Sequence, residues 1–158
     1  MSSFDGNWAP PQGAPMEHND IAGFWIRLLA HICDQVNSLV VVIPFALVSF
    51  FVDSPAADVV TVAGGLAAAW LIAKWTSERG GSPLRARLGV LVIDQSDGSF
   101  LDMNRSLKRA MFPAILAIAS QYLWVFILFA LLDYLISFSS PVRQTWHDRI
   151  AGSVVVRR

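Results

Sequence analysis

The feature that most constrains this chain is an apolar stretch from Phe24 to Val52 that carries three titratable residues near its start, Arg27, His31 and Asp34. The stretch exceeds the roughly 20 residues that cross a bilayer, so it must tilt, kink or begin along the interface. Arg27 and Asp34 are one heptad apart. On a helix this is a rise of about 10 Å and about two turns, so the two share a face, with His31 between them and Ser38 extending the stripe. With Trp25 at the membrane interface, Asp34 lies about 13 Å deeper, near the middle of a hydrocarbon layer about 30 Å thick. A central Asp or Arg costs about 2.5–3.5 kcal/mol to insert, so the stripe should face a bundle interior, a partner or a wet cavity. Arg27, His31 and Asp34 are therefore the expected intramembrane polar or ion site.

Two more apolar segments follow, at about 59–75 and 111–138. The chain is 54% hydrophobic and 15% charged, with a mean hydropathy of +0.50, whereas soluble domains carry about 25% charged residues. The expected fold is thus an all-α membrane protein, a small transmembrane helix bundle. Pro44 offers the long first segment a kink. In the second, Gly64 with Ala68 and Gly65 with Ala69 form small pairs four residues apart, which lets neighbouring helices approach closely in lipid. A formal net charge of zero leaves no surplus of cations for phosphates and argues against a nucleic-acid partner.

Charge is nevertheless unevenly placed. The stretch from Lys74 to Arg109 holds seven of the twelve Lys and Arg residues, whereas the turn at 53–58 has none. The positive-inside rule then makes the long loop cytoplasmic and, two spans earlier, the N-terminus as well. Within the loop, Leu88–Asp94 reads as a short strand closed by the turn signature Ser96-Asp97-Gly98-Ser99. Ser153–Val156 reads as a second strand, and the two can form a small cytoplasmic ribbon only on one side of the membrane. A single third span would put Arg143, Arg149, Arg157 and Arg158 outside. A re-entrant or broken hairpin keeps them inside, although about 28 residues are few for two crossings. The favoured expectation is a cytoplasmic C-terminus. Residues 1–20 are rich in Pro and Gly and lack Lys and Arg; they read as a disordered tail rather than a signal peptide, ahead of a membrane domain at 21–158.

No nucleophile elbow, zinc-protease motif, phosphate-cradling loop or paired-cysteine motif occurs, so no enzyme, cofactor or metal is expected. His18, His31 and His147 lack metal-ligand spacing, and Cys33 is the single cysteine. His31 reads as a hydrogen-bonded neighbour of Arg27 and Asp34, with a proton-relay role left open. The polar run Pro141–Gly152 is different in kind. It reads as a cytoplasmic cap containing Arg143, His147 and Arg149, in which Asp148 pairs with loop arginines or accepts backbone N–H groups.

Three blocks carry a family resemblance. Gly23-Phe24-Trp25-Ile26-Arg27-Leu28-Leu29-Ala30 with Asp34, then Ser82-Pro83-Leu84-Arg85 leading into Leu88–Asp94, then Arg143–Val156, together resemble the RDD family of bacterial membrane proteins, named for one arginine and two aspartates. Arg27 and Asp34 match the first-helix pair. Asp148 matches the second aspartate, with Asp133 as the rival. One departure is Leu84, where the family often has glycine after the loop proline. The resemblance implies transport, with some members proposed as sodium/proton antiporters.

Two functional readings follow. In the first, the chain is a transporter or cation/proton antiporter component of the bacterial inner membrane, where Asp34 exchanges a proton for a monovalent cation and Arg27 tunes the exchange. In the second, it is a non-transporting adaptor or accessory subunit whose charged stripe locks its own helices or docks a partner. Three apolar segments enclose little volume, so both readings imply a homo-oligomer or a larger membrane complex besides the lipid bilayer.

Overall fold

A computed structural model describes residues 21–121, 123–139 and 143–157; the expected tail at 1–20 lies outside these. The chain is mostly helical with one two-stranded sheet. Two long helices come first, α1 (Phe24–Ser49) and α2 (Ser54–Arg79), followed by the short α3 (Pro83–Arg87) and strand β1 (Val90–Asp94). Then come α4 (Met103–Ser120), α5 (Val125–Leu135) with a 3₁₀ turn at Ile136–Ser139, α6 (Trp146–Ala151) and β2 (Ser153–Arg157). Two helical stretches, Phe24–Ser49 and Ser54–Arg87, are long and apolar enough to cross a membrane.

The outer face of α1 is apolar along its length, with Trp25, Leu29, Ile32, Val36, Leu39 and Ile43 exposed. Its inner face buries Arg27, Ala30, Asp34 and Ser38. Periodic polarity of this kind turns the charged stripe inward and leaves the apolar stripe to lipid. Pro44 lies within α1 and Pro113 within α4. Each removes one i→i−4 hydrogen bond, from the carbonyls of Val40 and Arg109 respectively.

Helix α2 begins with Pro55 in its first turn and stops at Gly80, whose φ of 74° ends the helix in the left-handed conformation that favours glycine. Its buried residues are nearly all small: Gly64, Ala68, Ala69, Ala73 and Thr76. A methyl group on Gly64 would lie 2.7 Å from Phe45 Cβ of α1, and one on Gly65 would lie 3.2 Å from Ile118 of α4. The small face of α2 is thus what allows α1 and α4 to close on it from two sides.

The third apolar segment is broken. Helix α4 ends at Ser120 and α5 begins at Val125, and α5 packs back against α4. At 1.5 Å per residue α4 is about 27 Å long and α5 about 17 Å, so the pair is a hairpin with one shortened arm. Because the segment reverses, the chain returns to the end from which α4 started.

That end is a polar cap. Strands β1 and β2 pair antiparallel, with Val90 opposite Arg157 and Asp94 opposite Ser153. Ile21 forms a bridge to Val156, and Ala22 N–H donates to the Val155 carbonyl at 2.9 Å. The start of α1, the chain after α2 and the last strand therefore meet in one small sheet. Val90, Val92 and Val155 pack on one side with Ala22, Ala30, Leu101 and Ala151. Leu91, Ile93, Val154 and Val156 pack on the other, against Ile21 and Phe100. With both faces covered, the strands read as continuous apolar runs, not alternating ones.

Candidate functional site

Three buried arginines and three buried aspartates gather where the cap meets the bundle. Arg27 of α1 donates from Nη1 to Asp148 Oδ2 at 2.9 Å and from Nε to the Ala22 carbonyl at 2.9 Å. Arg109 of α4 donates from Nε to Asp148 Oδ1, also at 2.9 Å. One carboxylate therefore serves two guanidiniums, one on each oxygen. Asp34 pairs with Arg85 of α3 through Oδ2 at 3.0 Å, and Arg85 Nε reaches the Val90 carbonyl at 3.3 Å.

The local sequence explains how Asp148 is held. Thr145 caps α6, its hydroxyl accepting from Asp148 N–H, while Asp148 Oδ2 accepts from Thr145 N–H at 3.4 Å. This is a capping box with Asp in the third position. Ser153 adds a hydroxyl donor to Oδ1 at 3.3 Å. Burial alone would push the Asp148 carboxyl up, but Arg109, His147 and Arg27 outweigh it and hold Asp148 well below the usual carboxylate range.

Asp133 occupies a separate position beside it. The 3₁₀ turn and α6 bring His147 onto Asp133: Nδ1 lies 2.5 Å from Oδ2, and His147 N–H donates to Oδ1 at 3.2 Å. His147 Nε2 is 3.8 Å from Asp148 Oδ1, so the imidazole stands between the two carboxylates. His31 meets Gln35, at 3.3 Å between Nε2 atoms, and the ring of Tyr134, 5.0 Å between centroids. Tyr134 in turn lies edge-on to His147.

Arg27 and Asp34 share a face, as expected, and each has its own partner: Arg27 turns toward α6 and Asp34 toward α3, because the cap supplies a counter-ion directly opposite each. One expectation is corrected: His31 bonds Gln35 rather than Arg27 or Asp34. Ser38 is buried, but its hydroxyl donates back to the Gln35 carbonyl within α1. Of the expected cap residues, Asp148 and His147 join the cluster, Asp148 pairing with the loop arginine Arg109. Arg143 is exposed, with a φ of 51° and a guanidinium beside Gly23, and Arg149 is exposed on α6. Arg85 and Arg109 were legible only as loop charges. Their signal was Arg85 inside the second family block and Arg109 at the edge of an apolar run.

A cavity of about 290 Å³ opens from this cluster into the bundle. Arg27, Asp34, Arg85, Arg109, His147 and Asp148 line its polar end. Small and aliphatic residues of α2 and α4, including Gly65, Ala69, Ala114 and Ile118, line much of the remainder, with His31, Gln35 and Ser38 of α1 and Tyr134 of α5 beside the charged end. Asp34 is buried, and its Oδ1 has no hydrogen-bond partner among the described residues. An unpaired buried carboxylate oxygen costs about 1–3 kcal/mol or more. Among the described residues no group of His, Cys, Asp and Glu has the arrangement of a metal site.

The RDD family profile matches residues 21–152. Neither a curated protein nor a solved structure matches the chain. Leu84, at the position where the resemblance anticipated glycine, lies in the short helix α3 that carries Arg85 to Asp34. The match spans α1 through the end of α6, and in this fold the arginine and second aspartate that the resemblance singled out are bonded to each other while the first aspartate meets Arg85: the chain belongs to the RDD family of membrane proteins.

Proposed function

We propose that this protein is a transporter component that exchanges a proton for a monovalent cation at Asp34. It would be a multi-pass protein of the inner membrane with the N-terminus, the sheet and the C-terminus in the cytoplasm. The observation that carries the reading is the Oδ1 of buried Asp34, which has no hydrogen-bond partner among the described residues and belongs to a carboxylate that borders a cavity. A proton or a desolvated cation provides the partner this oxygen lacks, and Arg85 on Oδ2 acts as a tethered competitor for the incoming charge. Asp148 is unsuited to that role because both its oxygens are already occupied by guanidiniums. The basic cap supports the cytoplasmic orientation by the positive-inside bias. In everted vesicles a sodium pulse should change the lumenal pH for wild type and leave it unchanged for Asp34→Asn; equal responses would refute the assignment.

A second reading, a non-transporting adaptor, draws support from the same ion pairs. Arg27, Asp34, Arg85, Arg109 and Asp148 tie α1, α3, α4 and α6 into one unit, as a purely structural lattice would. Purification in mild detergent separates the readings: a stoichiometric foreign subunit favours the adaptor, a homo-oligomer the transporter.

A further inference from the structure

The polar end of the cavity carries more positive than negative charge in its wall. Arg27, Arg85 and Arg109 line it against Asp34 and Asp148; Asp133, the third aspartate of the cluster, is not in the lining and is held by His147. Arg109 is the least committed of the three. It is 7% exposed, and its Nε alone bonds Asp148, so both Nη groups lack a hydrogen-bond partner among the described residues. A buried guanidinium with two unused amino groups in a cavity wall is a preorganised site for a carboxylate or phosphate.

The rest of the cavity constrains what bears that anion. Its wall follows α4 from Arg109 to the Gln121 cap, about 18 Å. On α2 it follows Ile72, Ala69, Ala68, Gly65 and Thr61. The small side chains that let the helices approach also leave this slot beside them, and its surface is mainly aliphatic. A small inorganic anion would leave that length unused and would not compensate the desolvation of its own charge by apolar contact. A chain of methylenes gains about 0.8 kcal/mol for each group buried.

We propose that the cavity binds a single-chain amphiphile, its anionic head on Arg109 and its tail along the α2–α4 slot. The head chemistry is shared by free alkyl phosphates or fatty acids and by one chain of an anionic phospholipid. The site shares its cavity with Asp34 but takes the opposite charge, on Arg109, so its binding is read separately from ion exchange.

The test is equilibrium binding of radiolabelled dodecyl phosphate to the full-length protein in neutral maltoside detergent. Saturable binding near one per chain is expected, with dodecanol competing at least tenfold more weakly than unlabelled dodecyl phosphate. Arg109→Gln should weaken binding about tenfold or more and Arg109→Lys less. Ala117→Phe, which fills the slot from an exposed position of α4 away from the ion pairs, should weaken it comparably while leaving the melting temperature near wild type. Adding phosphatidylglycerol distinguishes the sources: displacement of the probe identifies bilayer lipid as the natural occupant, and lack of displacement identifies a free amphiphile. Non-saturable binding, equal competition by dodecanol, or unchanged affinity in Ala117→Phe would overturn the proposal. None of these readouts depends on ion movement, so failure here leaves the exchange at Asp34 standing, and the reverse.

Discussion

Arg27 and Asp148 are 121 positions apart in sequence and bonded at 2.9 Å, with side chains only 4% and 1% exposed. The bond joins the first turn of α1 to the last helix. Because Arg109 occupies the other oxygen of Asp148, this carboxylate fastens α1, α4 and α6 at a single point.

Removing that carboxylate strands two buried guanidiniums. Breaking a buried pair from one side costs about 3–5 kcal/mol, and Asp148→Asn should reach at least that range, seen as a loss in thermal stability in detergent. A loss under about 1 kcal/mol would mean the cluster is solvated and not structural.

Acid should act through the same group. The Asp148 carboxyl is depressed from its ordinary value of 3.8 in the folded protein, so the folded state binds its proton less readily than the unfolded chain. Its contribution is therefore complete above about pH 4 and is lost as pH falls toward the lower folded value. Unfolding curves from pH 6 to pH 3 should show wild type weakening at the acid end more steeply than Asp148→Asn. Parallel acid limbs would assign the loss to other carboxylates.

How much of this could be read from the chain differs by level. Apolar length revealed the two long helices, and the small residues of α2 marked its close-packed face. The break in the third segment followed from counting the arginines that a single span would export. The ribbon was visible as two β-branched runs, although its partner Ile21 was not. Pairing within the charged site was illegible, because heptad spacing shows which residues share a face and says nothing of what stands opposite. Arg85 and Arg109 looked like topology charges until α3 and α4 turned them inward. Asp133 and Asp148, weighed as rivals, are neighbours on either side of His147.

A side chain at Gly152 should cost more than one at Gly98. Its φ is 62°, and a methyl group would sit 2.6 Å from Arg105 Nη2, which donates to the Gly152 carbonyl at 2.9 Å. Arg105 also bonds the Ala151 carbonyl and pairs with Asp94, so displacing it loosens the junction of α6, β1 and β2. Gly152→Ala should cost about 1–3 kcal/mol. Gly98, with φ 74° and nothing within 4 Å of a new methyl group, is the comparison: Gly98→Ala should cost only about 1 kcal/mol. Equal losses at both positions would remove the Arg105 argument.

The meeting of Ile21, β1 and β2 requires all three to lie on one side of the membrane. In a Cys33→Ala background, Ser96→Cys and Arg157→Cys should react alike with a membrane-impermeant thiol reagent applied to intact cells. Asp58→Cys, in the turn-proximal end of α2, should show the opposite accessibility. Opposite labelling of Ser96→Cys and Arg157→Cys would be incompatible with the paired strands.

Asp34 carries the functional claim and Asp148 the architectural one, and purified protein in liposomes separates them. Asp34→Asn leaves Arg85 buried without its counter-ion and so loses stability as well as activity; Asp34→Asn with Arg85→Gln restores charge balance. Sodium-driven proton movement in proteoliposomes is therefore the decisive measurement on that double variant. Wild type should move ions, and the double variant should recover stability and move none. Sodium-driven proton movement persisting in the folded double variant, or absent from wild type, would contradict exchange at Asp34.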